Sequence, residues 1–408
     1  MTTQTIRRTY LTLSLFNTLA NSFIWGVNTL FLLEAGLTKT EAFAANSFFT
    51  VGMVLCDIPT GVIADTWGRR YSYLVGCLTL MFTTLVYYFL WRFHCPFWAW
   101  AVDSMLLGLG FTFFSGATDA WVVDALHSLK FEGSLESVFA QAQIIDGVAM
   151  FIGATLGGVV AQYTNLGVPY LIRSGFLLVS FGVAAAIMRD LGFTPRAMKN
   201  IADEARFVIK RSIDGGLRVP AVRWVMLIAP VTSGISIYGF YAAQPYLLEL
   251  YGKTNDYSIA GIAASLVAVS QIAGGLSVPL MKKIFKKRTS IFAAAILGSS
   301  IFLCCLGLSN SFWPAIICLG LWGLLSAAMI PQRQAYLNHC IDSESRATIL
   351  SFDNTLGSMG GVVIQPVLGR TADVWSFAFS FVVASIIQLV ALPFVVLARR
   401  QKSQADNM

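Results

Sequence analysis

The sequence predicts an all-α integral membrane protein: twelve transmembrane helices in two pseudo-symmetric six-helix bundles. Three observations predict it. Hydrophobic residues make up 56% of the 408 residues and charged residues only 12%, too few ionic groups to clothe a soluble globule of that size. Apolar runs of about 20 residues, the length that crosses a bilayer core at about 1.5 Å per residue, recur along the whole chain. A single long polar stretch, Arg189 to Arg223, divides these runs into six and six.

Taken in order, the expected spans cover residues 10–33, 42–63, 71–91, 98–122, 138–161, 170–188, 224–248, 258–280, 289–308, 313–336, 347–367 and 375–398. The first starts near Tyr10 after Arg7 and Arg8, is too long for a signal-peptide core, and is kept as helix one. Twelve spans put both termini on one side. With that side cytoplasmic, all but five of the 28 Lys and Arg (Lys39, Arg92, Arg173, Lys253 and Arg370) lie inside, which sets the orientation. In a bacterium this is the cytoplasmic membrane.

The polar stretch sets Ile201, Ala205, Val208, Ile213 and Leu217 at helical spacing opposite Lys199, Arg206, Lys210 and Arg211, an interfacial amphipathic helix. The expected domains are therefore a first bundle at 1–188, a cytoplasmic linker at 189–223, a second bundle at 224–400 and a tail at 401–408. A faint repeat relates the halves: Asp119-Ala-Trp-Val-Val-Asp124 parallels Gln334-Ala-Tyr-Leu-Asn338, and Glu136-Ser137 with Asp146 parallels Glu344-Ser345 with Asn354.

The net charge of +7 alternates with the spans and forms no soluble basic surface, so lipid headgroups rather than nucleic acid are the expected partner. Seven cysteines, an odd number lying mostly inside apolar runs, show no metal spacing, and His94, His127 and His339 are scattered. No metal and no cofactor is expected. Without a nucleophile–base pair or a phosphate loop, an enzyme is not expected either.

The most specific motif is Gly61-Val-Ile-Ala-Asp65-Thr-Trp-Gly68-Arg69-Arg70, a tight polar turn between helices two and three. Together with the six-plus-six topology and the inner central loop, it resembles the major facilitator superfamily over nearly the whole chain. The resemblance implies transport by alternating access. It implies that Gly61 and Gly68 allow close helix contact and a sharp turn, that Asp65 caps a helix of the other half, and that Arg69 bonds an acid at the inner end of helix four, Asp124 or Asp119. In a poorly hydrated seam such carboxylate–guanidinium bonds are strong, so this set, with Arg70, would act as an inner gate. The matching loop of the second half, Lys282-Lys283-Ile-Phe-Lys286-Lys287-Arg288, keeps the charge without the acid or the glycines.

A narrower resemblance, to twelve-span drug–proton antiporters such as multidrug and tetracycline exporters, rests on Asp57-Ile-Pro-Thr-Gly61, on Gly116-Ala-Thr-Asp119-Ala-Trp-Val-Val-Asp124 and on Arg346-Ala-Thr. Two departures stand against it. The helix-five mark appears as Gly153-Ala154-Thr-Leu-Gly157-Gly158 without its proline, and helix four has Asp103 or Ser104 where an arginine is expected. The expected function is proton-coupled export of an amphipathic small molecule; the alternative is proton-coupled uptake or facilitated diffusion of a small nutrient or metabolite. The expected partners are that substrate, the proton and membrane lipid, with the protein a monomer.

An acid inside a span costs about 2.5 to 3.5 kcal/mol on insertion scales, so each needs a partner, a proton or a task. Asp146, without a basic neighbour in sequence, is the first candidate for the coupling carboxylate, followed by Asp119 and Asp57. Arg333 with Asp353, and Asp103 with Arg173, are at matching depths and are candidate ion pairs. Asn17, Asn21 and Asn28, with Trp25, form a polar stripe on helix one suited to a cavity; Tyr238, Tyr241 and Gln244 of helix seven and Gln271 of helix eight complete an aromatic and amide lining.

Overall fold

The computed structural model describes residues 1–114, 116–195, 201–252, 256–342 and 345–407. Lys199, Lys253 and Glu344, named above, lie outside them, as do the side chains of Glu136, Ile201 and Lys282. The described residues form α1 Thr3–Trp25, α2 Asn28–Glu34, α3 Lys39–Trp67, α4 Arg69–Arg92, α5 Phe97–Thr112, α6 Ala117–Ser128, α7 Leu135–Tyr163, α8 Val168–Ile187 and α9 Ile201–Ser212. A π-helical turn, Ile213–Leu217, follows. Then come α10 Pro220–Met226, α11 Ile228–Tyr251, α12 Tyr257–Leu276, α13 Val278–Ile284, α14 Arg288–Leu308, α15 Phe312–Cys340, α16 Arg346–Val374, α17 Phe377–Leu389 and α18 Ala391–Arg400.

With α9 set apart and the others joined across short breaks (α1–α2, α5–α6, α10–α11, α12–α13 and α17–α18), the described helices make the twelve rods of the expected fold. Among the described residues, 10 helices are long and apolar enough to cross a membrane. The two rods below that mark are α1, with Asn17 and Asn21, and α16, with Asp353, Asn354, Gln365 and Arg370 among its glycines. Polar side chains lower their mean hydropathy. Other rods expose Phe82, Phe89, Ile144 and Phe151, as lipid contact favours.

By packing, the chain divides into two units: Met1–Gly36 with Phe48–Ile201, and Leu37–Ser47 with Ala202–Met408. The first third of α3 thus belongs with the second unit. In unit 1, α7 and α8 pack along α1, and α5 and α8 along α4. The α1–α7 seam is close because Gly157 lies against the Phe23 carbonyl and Gly153 against Ser22, leaving no room for a Cβ. Ser22 donates its hydroxyl to the Ala149 carbonyl across that seam at 3.2 Å. At the far end Phe31 stacks on Tyr170 with centroids 3.9 Å apart, beside Tyr87, Trp91 and Trp100.

Unit 2 repeats the plan. There α16 packs on α11 and α17 on α14, as α7 does on α1 and α8 on α4. A glycine again makes the first seam, Gly360 lying against the Pro230 carbonyl. Val222, Met226, Phe292, Tyr336, Ile349 and Val395 form the core at the end of this unit that carries the α14 N-terminus.

The amphipathic helix expected at 201–217 comprises α9 and the π turn. Ala205 and Val208 are half-buried and Ser212 is buried, while Arg206 and Lys210 are exposed. Phe207 and Ile209 are also exposed, adding apolar side chains to its outer face, and Arg211 lies over the Phe207 ring at 5.8 Å.

Candidate functional site

The turn at Gly68 is built from both of its flanks. Between Trp67 and Arg69 stands one residue, Gly68, at φ +111°, a conformation that side chains rarely adopt. A Cβ there would also strike the Asp190 carboxylate. Asp190 lies just beyond α8 and accepts the Arg70 amide at 2.9 Å, satisfying one of the free donors at the start of α4. Burial pushes the Asp190 carboxyl above the usual carboxylate range, against the opposing pull of the Arg70 amide and the Arg70 and Arg69 charges.

The arginines then take different directions. Arg70 donates to the Ala185 carbonyl at 2.6 Å. Arg69 pairs with Asp65 at 2.6 Å, stands 4.0 Å from Asp124 and lies 5.9 Å from the centroid of the Phe193 ring. Of the two acids the motif left open, Asp124 is the one near Arg69. The Trp121 indole donates to the Arg189 carbonyl at 2.8 Å, and Gly192 presses on the Asp124 carbonyl, so residues 189–193 wrap the turn. Trp67 is 55% exposed and stands edge-on to Tyr71, with centroids 5.2 Å apart.

Gly61 differs from expectation. A Cβ built there meets nothing within 4 Å among the described residues, so none of them requires a glycine at that position. Asp190, Gly192 and Phe193 were not anticipated. The run Arg189-Asp190-Leu-Gly192 signals a turn, but nothing in it names α4 as its partner.

Within unit 1 a cavity of about 330 Å³ is lined by Tyr10, Ser14 and Asn17 of α1, Tyr73 of α4, Asp119 of α6 and Asp146 of α7, with Phe114 and Phe139 among its aromatic walls. One face of α1 serves both acids, because Tyr10, Ser14 and Thr18 recur every four residues. Tyr10 donates to Asp119 at 2.8 Å; Ser14 and Thr18 donate to Asp146 at 2.6 and 2.7 Å. Among the described residues, neither acid takes part in an ion pair. Asp57 is half-buried on α3, outside the lining of this cavity.

The polar stripe of helix one is split. Asn17 lines the cavity and accepts from Asn21 at 3.2 Å, and Trp25 is half-buried. Asn28 instead accepts the Tyr170 hydroxyl at 2.9 Å, because the break at Gly26 and Val27 turns α2 out of the register of α1. In unit 2, Tyr238 is 0% exposed and bonds Ser380 at 2.5 Å, so it packs against α17 rather than lining a cavity. Gln244 is also fully buried, Tyr241 is half-buried and Gln271 is exposed on α12.

Arg333 and Asp353 form a two-pronged pair, one bond 2.8 Å long, with the Arg333 Nε donating to the Val225 carbonyl at 3.2 Å. Among the described residues no ion pair joins Asp103 to Arg173. Helices α5 and α8 each pack along α4. Asp103 is 4% exposed, and its Oδ2 has no hydrogen-bond partner. Among the described residues no group of His, Cys, Asp and Glu is arranged to hold a metal ion.

A family model of the Major Facilitator Superfamily matches residues 10–294 and 226–407. Multidrug resistance protein MdtG of Proteus mirabilis (strain HI4320) is 25% identical over 223 residues, 53% of this chain and 52% of that protein. The chain thus spans about half the length of the curated relative it matches. Among solved structures, nucleoside transporter NupG superposes with a TM-score of 0.76 at 9% identity, covering 96% of this chain and 98% of that one. A peptide transporter POT in complex with sulfate gives 0.77 at 12% identity, covering 98% and 96%. A D-xylose-proton symporter gives 0.67 at 14% identity, covering 96% of each. These likenesses agree on the twelve-rod fold. With its Gly61–Arg70 turn, its repeated halves and a family match along nearly its whole length, the chain belongs to the major facilitator superfamily, a multi-pass membrane protein with the fold of a transporter rather than of an enzyme.

Proposed function

We propose that the protein is a secondary active transporter that exports an amphipathic small molecule in exchange for protons. The observation that carries this reading is the pair Asp119 and Asp146, two carboxylates facing one cavity and bonded to hydroxyls of the same α1 face without a cation. A carboxylate so placed takes up a proton without first breaking an ion pair. On protonation it turns from acceptor to donor, and the α1 hydroxyls must reorient; the two protonation states then favour different orientations of the bundles. Asp146 is the first coupling acid and Asp119 the second.

The Gly68 turn, with Asp65, Arg69, Arg70 and Asp124, is the inner gate in this mechanism. The coupling ion is the proton, no cofactor takes part, and both termini face the cytoplasm. A proton moving down 100 mV supplies about 2.3 kcal/mol and one pH unit adds about 1.4 kcal/mol, enough for modest accumulation. The name of the MdtG relative supports a drug-like cargo.

Flux in proteoliposomes under an imposed pH gradient tests this reading. Asp146→Asn is expected to abolish uphill movement while exchange of labelled for unlabelled substrate persists; full uphill flux in both Asp146→Asn and Asp119→Asn would remove the coupling role. The absent helix-five proline favours a second reading, proton-coupled uptake or facilitated diffusion of a nutrient. The direction of flux in inverted vesicles decides between them.

A further inference from the structure

The geometry points to Asp190 and Asp406 as matched positioning residues: in each half, the segment after the last helix returns a carboxylate to the N-terminus of the third helix and fixes the turn before it. In unit 1 the third helix is α4, and Asp190 accepts its Arg70 amide at 2.9 Å. In unit 2 the third helix is α14, and Asp406 accepts the Thr289 amide at 2.8 Å and the Thr289 hydroxyl at 2.9 Å. Asp406 is only 3% exposed, so its oxygens find their partners in these donors rather than in bulk water.

A second bond runs the opposite way in both halves. The Arg70 side chain donates to the Ala185 carbonyl near the end of α8. The Arg288 side chain donates to the carbonyls of Ala405 and, at 2.9 Å, Asn407. A carboxylate thus bonds one way and a guanidinium the other, the guanidinium ending on the last turn of α8 in unit 1 and on the closing segment in unit 2. Helix packing explains why both halves arrive at this: α8 lies along α4 and α17 along α14, so the end of the last helix meets the start of the third.

The two closing segments share little sequence, Arg189-Asp190-Leu-Gly192 against Gln404-Ala-Asp406-Asn407; what repeats is the contact. Asp406 supplies a carboxylate to the Lys282–Arg288 turn from more than a hundred residues away, as Asp190 does to the first turn, while Asp65 has no counterpart in that run. In unit 1 the cap holds the Gly68 turn from which Arg69 reaches Asp65 and Asp124. On the transport reading given above, on which this last step rests, each inner turn then moves as a stiff part of its own bundle.

Hydrogen exchange read by mass spectrometry, on the full chain in detergent without substrate or gradient, tests the caps directly. Asp190→Ala is expected to speed exchange of the amides at residues 69–73 by about tenfold and leave residues 288–292 unchanged; Asp406→Ala is expected to do the reverse. Asparagine keeps the acceptor oxygen, so Asp190→Asn and Asp406→Asn should stay within about twofold of the parent protein. Leucine, of similar bulk without an acceptor, should behave like alanine. Unchanged exchange in the alanine variants, asparagine behaving like alanine, or one substitution loosening both halves alike would each overturn the inference. Since no cargo or gradient enters the measurement, intact caps in a protein without proton-driven flux would count against the transport reading alone.

Discussion

Ser14 donates its hydroxyl to the Asp146 carboxylate at 2.6 Å, and Thr18, one turn further along α1, donates to the same oxygen at 2.7 Å. Two donors on one oxygen make either replaceable at modest cost. Ser14→Ala is expected to lower stability by about 1 kcal/mol, read by thermal unfolding of the purified protein, with proton-driven flux retained. Ser14→Ala with Thr18→Val removes both donors, and uphill flux should then fall while exchange persists. Full uphill flux in the double variant would show that these hydroxyls do not serve coupling.

Arg69 joins Asp65, Asp124 and the Phe193 ring at one point of the Gly68 turn. Arg69→Ala is expected to stop net transport while ligand binding survives. Turnover at the parent rate in that variant would remove the gate role.

The Arg333–Asp353 pair is nearly closed to solvent, with side chains 13% and 4% exposed. Removing one partner strands the other charge. Arg333→Ala and Asp353→Ala should each cost about 3 to 5 kcal/mol, and the double variant much less than their sum, as a double-mutant cycle of unfolding midpoints would record.

Two helix glycines should respond in opposite ways. Gly157 lies on the Phe23 carbonyl, so Gly157→Ala must part α7 from α1 and is expected to cost about 1 to 3 kcal/mol. Beside Gly61 there is open space, and Gly61→Ala should stabilise the helix by about 0.5 to 1 kcal/mol. Equal unfolding midpoints for the two variants would contradict this assignment of close and open sites.

The twelve rods were legible because a bilayer demands a minimum apolar length, and that demand is written residue by residue. Arg333 and Asp353 were legible as a pair for a related reason: opposite charges at one depth in an apolar setting have few other partners. What escaped was set by breaks and by backbone. Counting from Asn17 to Asn28 assumes an unbroken helix, and the interruption at Gly26 voids the count. Tyr238 carries a polar tip that suits a cavity, yet a hydroxyl on α17 satisfies it equally well. Asp190 and Asp406 each act on a main-chain amide, a group that every residue but proline has, so the sequence does not single out the partner.

Of the ten tryptophans, Trp100, Trp121 and Trp322 are shielded from solvent, whereas Trp67, Trp98, Trp313 and Trp375 sit in the open, and of these four Trp67 is the one next to Gly68. Indole emission reddens with polarity and is quenched by soluble collisional agents such as iodide. With Trp98, Trp313 and Trp375 replaced by phenylalanine, the quenchable fraction would come chiefly from Trp67, and a shift in it would register the turn's movement without any attached dye.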